Sequence, residues 1–245
     1  MPADRPEATG STASRLAAVR RQISAAAARA GRRPEEITLI AVSKTFGADS
    51  VRDAAAAGQI AFGENRVQEG LEKISATSPL SLEWHLIGHL QSNKAKKAAA
   101  AFAWIHSIDS LDLLRKIDAG AADARVVPRV LIQVDLAHEA TKSGVDESQI
   151  EALARAALEL RSVELRGLMI VPPIPVDPEE SRPWFRRLRE LRDRLVAGGL
   201  PATHLTELSM GMSHDFEVAI AEGATMVRVG TAIFGRRTPP LAEPA

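Results

Sequence analysis

ITLIAVSK, residues 37–44, is apolar on both faces apart from Thr38 and Ser43 and ends on a lysine. A strand with two apolar faces is covered on both sides, as in a parallel sheet flanked by helices. The segment behind it, SVRDAAAAG at 50–58, has helical spacing, and the same pairing recurs down the chain. Further strand-like runs are IAFGE (60–64), WHLIG (84–88), AWIHSI (103–108), RVLIQVDL (129–136), LRGLMIV (165–171), HLTELSM (204–210) and TMVRVGT (225–231). Between them lie SNKAKKAAAAF, SLDLLRKIDAGAA, ESQIEALARAALEL and PEESRPWFRRLRELRDRLVAGG, whose Pro183 is expected to delay the true helix start. Eight strand–helix units predict an α/β protein, a (β/α)8 TIM barrel in a single domain. An open doubly wound sheet has the same element order, and counting strands does not separate the two.

An amphipathic segment, residues 14–30 with Gly31 as its stop, adds a helix before the first strand. The expected organisation is a polar leader at 1–12, the barrel at 13–236 and a Pro-rich tail at 237–245. Apolar residues make up 45% and charged residues 25% of the 245, the balance of a soluble globular chain. Formal net charge is zero, which gives no global pull toward nucleic acid or anionic membranes. No cysteine is present, which removes disulfides, thiolate nucleophiles and cysteine-based metal sites. Neither a signal-peptide core nor a membrane-length apolar run occurs, so the expected compartment is the cytoplasm. Tyrosine is absent, and with it any phenol acid or base.

Barrels carry their chemistry at the C-terminal ends of strands. Here those ends hold Lys44, Glu64 with Asn65, His85, Ser107 with Asp109, and Asp135. Of the seven lysines, six lie in helical or loop segments where solvation explains them, and Lys44 alone ends an apolar strand. A lysine partly desolvated in a barrel mouth has a lowered pKa, and its neutral amine attacks carbonyls to give a Schiff base. The competing reading is a rim lysine whose stem is buried and whose head reaches water. Arg228 interrupts the apolar run ATMVRVGTAIF. A buried guanidinium needs a partner, either a carboxylate such as Glu207 or Glu64 or an acceptor atom on a ligand.

The last two strands end in SMGMS (209–213) and Gly230–Thr231. A phosphate site made by the loops after strands seven and eight recurs in barrels. Ser209, Gly211 and converging N–H groups suit one. Ser213 reads as a cap for the next helix, while Asp215 opposes an anion if it faces the site. His85 and His89 do not form a helical metal pair, HEATK at 138–142 is no zinc-protease motif, and no Walker or dinucleotide glycine pattern appears. An amine, a phosphate cradle and a buried arginine on one rim suit pyridoxal 5'-phosphate.

The ordered blocks AVSKT, FGENRVQE, WHLIGHLQSNK, SID, TKSG, LRGLM, LSMGMSHDFEVAI and VRVGTAIFG together resemble the pyridoxal phosphate homeostasis protein family, the single-domain relatives of the alanine racemase N-terminal barrel. The resemblance spans roughly residues 12–236. It implies a pyridoxal phosphate cofactor held by Lys44 as a Schiff base, with Ser209, Gly230 and Thr231 on the phosphate and Met210 and Gly211 shaping that loop. It further implies Arg228 opposite the pyridine nitrogen and Asn65 near the ring. Two departures stand out: Asp135 replaces the family's usual asparagine, and MIVPPIP is richer in proline than usual. Neither touches the lysine or phosphate positions.

An arginine opposite the ring nitrogen leaves it unprotonated and weakens the ring as an electron sink. A racemase of the related kind also needs a tyrosine base from a second domain. The expectation is therefore a monomeric reservoir or carrier that keeps the cofactor in balance, supplies apo forms of pyridoxal phosphate enzymes and has little turnover. The alternatives are an amino-acid racemase or weak transaminase, and a cofactor-free Schiff-base aldolase on a sugar phosphate.

Overall fold

The computed structural model describes residues 10–136, 143–173 and 175–235. Eight parallel strands form the wall: β1 (Thr38–Val42), β2 (Ala61–Glu64), β3 (Glu83–Leu86), β4 (Trp104–Ile108), β5 (Arg129–Asp135), β6 (Glu164–Met169), β7 (Glu207–Met212) and β8 (Met226–Val229). Each pairs with its sequence neighbours, β8 returns to β1 through Ile40 and Arg228, and β4 joins β5 through Trp104 and Arg129. That last pairing makes the sheet a closed barrel and removes the open-sheet alternative. A two-residue strand at Val145–Asp146 adds to the C-terminal end of β5.

Around the wall run α1 (Thr12–Arg29), α2 (Ala48–Ala56), α3 (Val67–Ala76), α4 (Ala95–Ala101), α5 (Leu111–Ala124), α6 (Ile150–Glu159), α7 (Arg182–Ala197), α8 (Phe216–Ala221) and α9 (Thr231–Phe234). α1 is the extra helix. Its Leu16, Val19, Ile23, Ala26 and Ala27 are buried at helical spacing, Ser11 caps its first turn, and Gly31 leaves it at φ +67°. Guanidiniums from and just beyond this helix pin it to the barrel: Arg15 Nε donates to Ile233 O at 2.7 Å, and Arg32 Nη1 to Ala224 O at 2.7 Å. α7 starts at Arg182, after one tight turn at Pro178–Ser181 and with Pro183 in its first turn, as the missing proline N–H requires. No described helix is long and apolar enough to cross a membrane.

Alternation along the strands makes two concentric cores. Ile40, Ala61, Trp104, Leu131, Met169 and Met226 point inward and fill the lower barrel. Their neighbours Phe62, Leu86, Ile105, Ile132, Leu168, Leu208 and Val227 point outward beneath the helices, all fully buried. Each such side chain contributes about 1.5–3 kcal/mol of transfer free energy, so the helix layer holds the wall closed and leaves the upper barrel free for polar groups.

Several strands end a residue or two short of the expected bounds, and one boundary moves further. The seventh strand begins at Glu207, because Ala202–His204 forms a tight turn, and it runs on to Met212. Most of SMGMS is therefore strand rather than loop. The tail, most of the leader, and Thr141 and Lys142 of TKSG lie outside the described residues.

Candidate cofactor site

Lys44 follows β1, four residues beyond inward-facing Ile40, in a short turn. It is exposed, so the partial desolvation expected of it is absent from the protein alone. The turn is nonetheless held. Thr45 takes φ +71°, a left-handed conformation that costs a threonine roughly 1–2 kcal/mol. The Thr45 N–H donates to Glu69 Oε1, Phe46 N–H donates to Ser43 O at 3.0 Å, and the Phe46 ring packs on Phe234 of α9 at 5.3 Å.

Beneath this turn lies a group whose buried lysine escapes the sequence reading. Lys73 on α3 is not a solvated lysine: its side chain is 7% exposed and donates to Glu64 Oε1 and Ser43 O, both at 2.7 Å, and to Glu69 Oε1 at 2.9 Å. Ser43 Oγ also donates to Glu64 Oε1, at 2.6 Å. Glu64 therefore does not face the mouth. It is fully buried under α3, and burial pushes its carboxyl above the usual range. The helical spacing of VQEGLEKISA gives no sign that this lysine turns inward, because its partners come from two different strand ends.

Across the rim, the loops after β7 and β8 are tied together by the Gly230 N–H donating to Ser213 Oγ at 3.1 Å. Ser213 thus bridges the two loops and does not cap α8. Asp215 turns away from the mouth and accepts from Met212 N–H at 2.7 Å and Ser181 Oγ at 2.8 Å. Gly211 takes φ +90°, where an added Cβ would lie 2.6 Å from Ala219 Cβ, so strand and helix meet there only without a side chain. At Gly230 a Cβ would press to 3.1 Å on Val42 O, which brings this loop against the strand that carries Lys44. Thr231 opens α9, whose first N–H groups have no partner within the helix. The Met210 side chain is buried under the helices, so at the mouth it offers backbone alone. Asn65, half-buried, follows β2 on the same rim.

Arg228 is buried in the barrel beside Ile40. Neither predicted carboxylate reaches it: Glu64 serves Lys73, and Glu207 accepts from Thr225 Oγ1 at 2.7 Å. It donates instead from Nη1 to Ser209 Oγ at 2.6 Å and from Nη2 to Ile170 O at 2.8 Å. Burial pushes its guanidinium down to about 10, still charged at neutral pH. Ser209 consequently sits below these two loops with its hydroxyl engaged.

From Ser209 a polar string descends the barrel. His106 Nδ1 lies 2.9 Å from Ser209 Oγ, and His106 Nε2 lies 3.0 Å from His85 Nδ1. His85 Nε2 is 3.2 Å from Glu83 Oε1, and Glu83 pairs with Arg129 at 3.2 Å on the N-terminal face. His85 is therefore mid-barrel rather than on the rim, and Ser107 faces outward, buried, without a hydrogen-bond partner among the described residues. Burial depresses both imidazoles, His106 well below its usual value. Unfolding then takes up protons below the ordinary histidine value of 6.5, so stability falls as pH drops from 7 toward 5. Each histidine contributes up to about 1.4 kcal/mol per pH unit. Glu64, raised by burial, opposes with at most one proton against two. Urea midpoints at pH 7 and pH 5 check the sign, and a higher midpoint at pH 5 contradicts it.

The alanine racemase N-terminal domain model matches residues 14–238. The pyridoxal phosphate homeostasis protein of Aquifex aeolicus is 46% identical over 223 residues, 91% of this chain and 97% of that protein. Its namesake in Escherichia coli is 48% identical over 229 residues, covering 91% and 95% of the two chains. The chain belongs to the pyridoxal phosphate homeostasis protein family. Among solved structures, PipY of Synechococcus elongatus without PLP aligns at TM-score 0.83 and 42% identity, over 91% of this chain and 99% of PipY. PipY with PLP bound aligns at 0.81. Alanine racemase from Streptomyces coelicolor shares the family's barrel fold at TM-score 0.63 and 21% identity, and this chain spans 59% of that longer enzyme.

Proposed function

We propose that the chain binds pyridoxal 5'-phosphate at this mouth and serves intracellular homeostasis of that cofactor as a reservoir or carrier, with effects on amino-acid and vitamin B6 pools. The carrying observation is one rim that joins an exposed amine, two cross-linked glycine-bearing loops and a buried guanidinium with no carboxylate in contact among the described residues. The homeostasis proteins at 46% and 48% identity and the PLP-bound PipY support the same reading.

The residues present fit the group. When bound, it supplies an aldehyde that links reversibly to an amine and a ring that withdraws electrons from that link. Lys44 would hold the aldehyde end. Gly230, Thr231, Ser213 and the backbone at Met210–Gly211 would hold the phosphate, and Asn65 would flank the ring. Arg228 would donate to the ring nitrogen and, being a donor only, leave it unprotonated. Ser209 acts one step back, by holding Arg228. With the nitrogen kept neutral and no tyrosine in the chain to serve as a second base, binding and release outweigh turnover.

Transfer to an apo-enzyme tests this. Loaded protein is expected to reactivate an apo form of a pyridoxal phosphate enzyme faster than the same amount of free cofactor; no faster delivery counts against the carrier role. Racemisation or transamination detected by chiral chromatography at saturating cofactor, and abolished in Lys44→Ala, would favour an enzyme instead.

A further inference from the structure

The string Arg228–Ser209–His106–His85–Glu83 has one consistent direction, and its ends impose it. A guanidinium has donors only, so Arg228 Nη1 donates to Ser209 Oγ. An ionised carboxylate has acceptors only, so His85 Nε2 donates to Glu83. With Nε2 protonated, a neutral His85 presents Nδ1 as an acceptor to His106 Nε2–H at 3.0 Å. His106 Nδ1 is then the acceptor for the single Ser209 hydroxyl proton at 2.9 Å. Reversing the direction would need a protonated Glu83 and would leave Ser209 with two N–H groups facing it. A second proton on His106 would make its Nδ1 a second donor to Ser209 Oγ, and one on His85 would turn His106 round to the same effect; either leaves the serine proton without its acceptor. The hydrogen bond from His85 holds the Glu83 carboxyl below its usual range, in keeping with an ionised acceptor.

We propose that Ser209, His106 and His85 form a one-way hydrogen-bond string, with both imidazoles neutral and protonated on Nε2, that positions Arg228 to read an unprotonated ring nitrogen. The proposal rests on the cofactor reading above and goes beyond it by giving the lower barrel a role. Every dipole of the string turns its negative end toward the buried guanidinium, which compensates its charge without a carboxylate touching it. Asp215, held by Met212 N–H and Ser181 Oγ, acts on the guanidinium's charge without touching it, and Glu83 closes the string at the opposite face beside Arg129. A carboxylate in direct contact would quench the arginine as a donor. Oriented neutral groups fix it in place and leave its remaining N–H groups, of five in all, strong donors to a neutral acceptor. Ser209 and His106 are positioning residues in this scheme. Trp104 flanks the string, its ring stacked on His85 at 5.6 Å and 6°, with the Arg129 guanidinium over the Trp104 ring at 5.2 Å.

Two measurements test it. Long-range nitrogen–proton correlation spectra of histidine-labelled, cofactor-free protein at pH 7 are expected to give the neutral Nε2–H pattern for residues 85 and 106. A cationic or Nδ1–H pattern at either overturns the string whether or not cofactor binds. The second compares affinity for pyridoxal phosphate with affinity for its analogue carrying CH in place of the ring nitrogen. The wild type is expected to prefer the nitrogen by at least about tenfold. In His106→Leu the preference collapses toward one, while His106→Gln keeps it, since an amide supplies one acceptor and one donor. A preference unchanged in His106→Leu, or absent from the wild type, overturns the positioning role. Failure of the wild type to bind either compound would sink the cofactor reading and leave the spectra to decide the string.

Discussion

Lys44→Ala is expected to strip the chain of retained cofactor while leaving its fold intact. After loading and exhaustive dialysis, the variant should hold at least about tenfold less pyridoxal phosphate than the wild type, a tenfold ratio being 1.4 kcal/mol. Phosphate and ring contacts survive the substitution, so weak reversible binding remains, and only the link through the amine is lost. The unliganded variant should unfold within about 0.5 kcal/mol of the wild type, because Lys44 is exposed. Lys44→Arg keeps the charge and cannot make the link, so it should fail equally. Retention by either variant would place the aldehyde elsewhere.

Lys73→Met should have the largest effect on stability. Breaking a buried ion pair from one side costs about 3–5 kcal/mol, because the surviving charge has lost its partner. The survivor is Glu64, fully buried, with its Oε2 already without a hydrogen-bond partner. The sign with pH is distinctive. In the variant Glu64 is raised further above its unfolded value, and the stability that comes with its protonation is present at low pH and lost as pH rises. The deficit relative to wild type should therefore shrink between pH 7 and pH 5. Lys73→Met with Glu64→Leu removes both charges and should recover most of the loss. Because Lys73 also holds Ser43 O, the single variant should loosen the Lys44 turn and weaken cofactor retention as well. Urea denaturation across pH checks both parts. A pH-independent deficit would mean that Glu64 is not the group left behind.

The barrel was legible because its signal is local: each strand is a short run apolar on both faces, and each helix shows its own spacing. Closure was not, since it depends on β4 meeting β5, a pairing no single segment encodes. Lys44, Asn65, Gly230 and Thr231 follow strand ends, where position alone makes them candidates, while Gly211 lies inside β7. Arg228 stands out as a charge in an apolar run, which leaves a carboxylate or a ligand atom open as its partner; the carboxylates do not reach it, and a serine and a backbone carbonyl hold it, which no local pattern encodes. Lys73 looked like any helical lysine, because the direction of one side chain on α3 depends on how the helix rolls over β1 and β2. The His106–His85 contact joins two strands at a depth set by the barrel's stagger, so alternation alone does not bring the rings together. Ser213 was visible but read as a helix cap, and it serves the neighbouring loop.

Borohydride trapping tests the central assignment most directly. The protein is incubated with pyridoxal phosphate, reduced and digested, and the added mass is located by peptide sequencing. Label confined to Lys44 is the predicted result. Label absent, or spread over Lys94, Lys96, Lys97 and Lys116, would contradict it and favour a barrel that binds a phosphate ester without this cofactor.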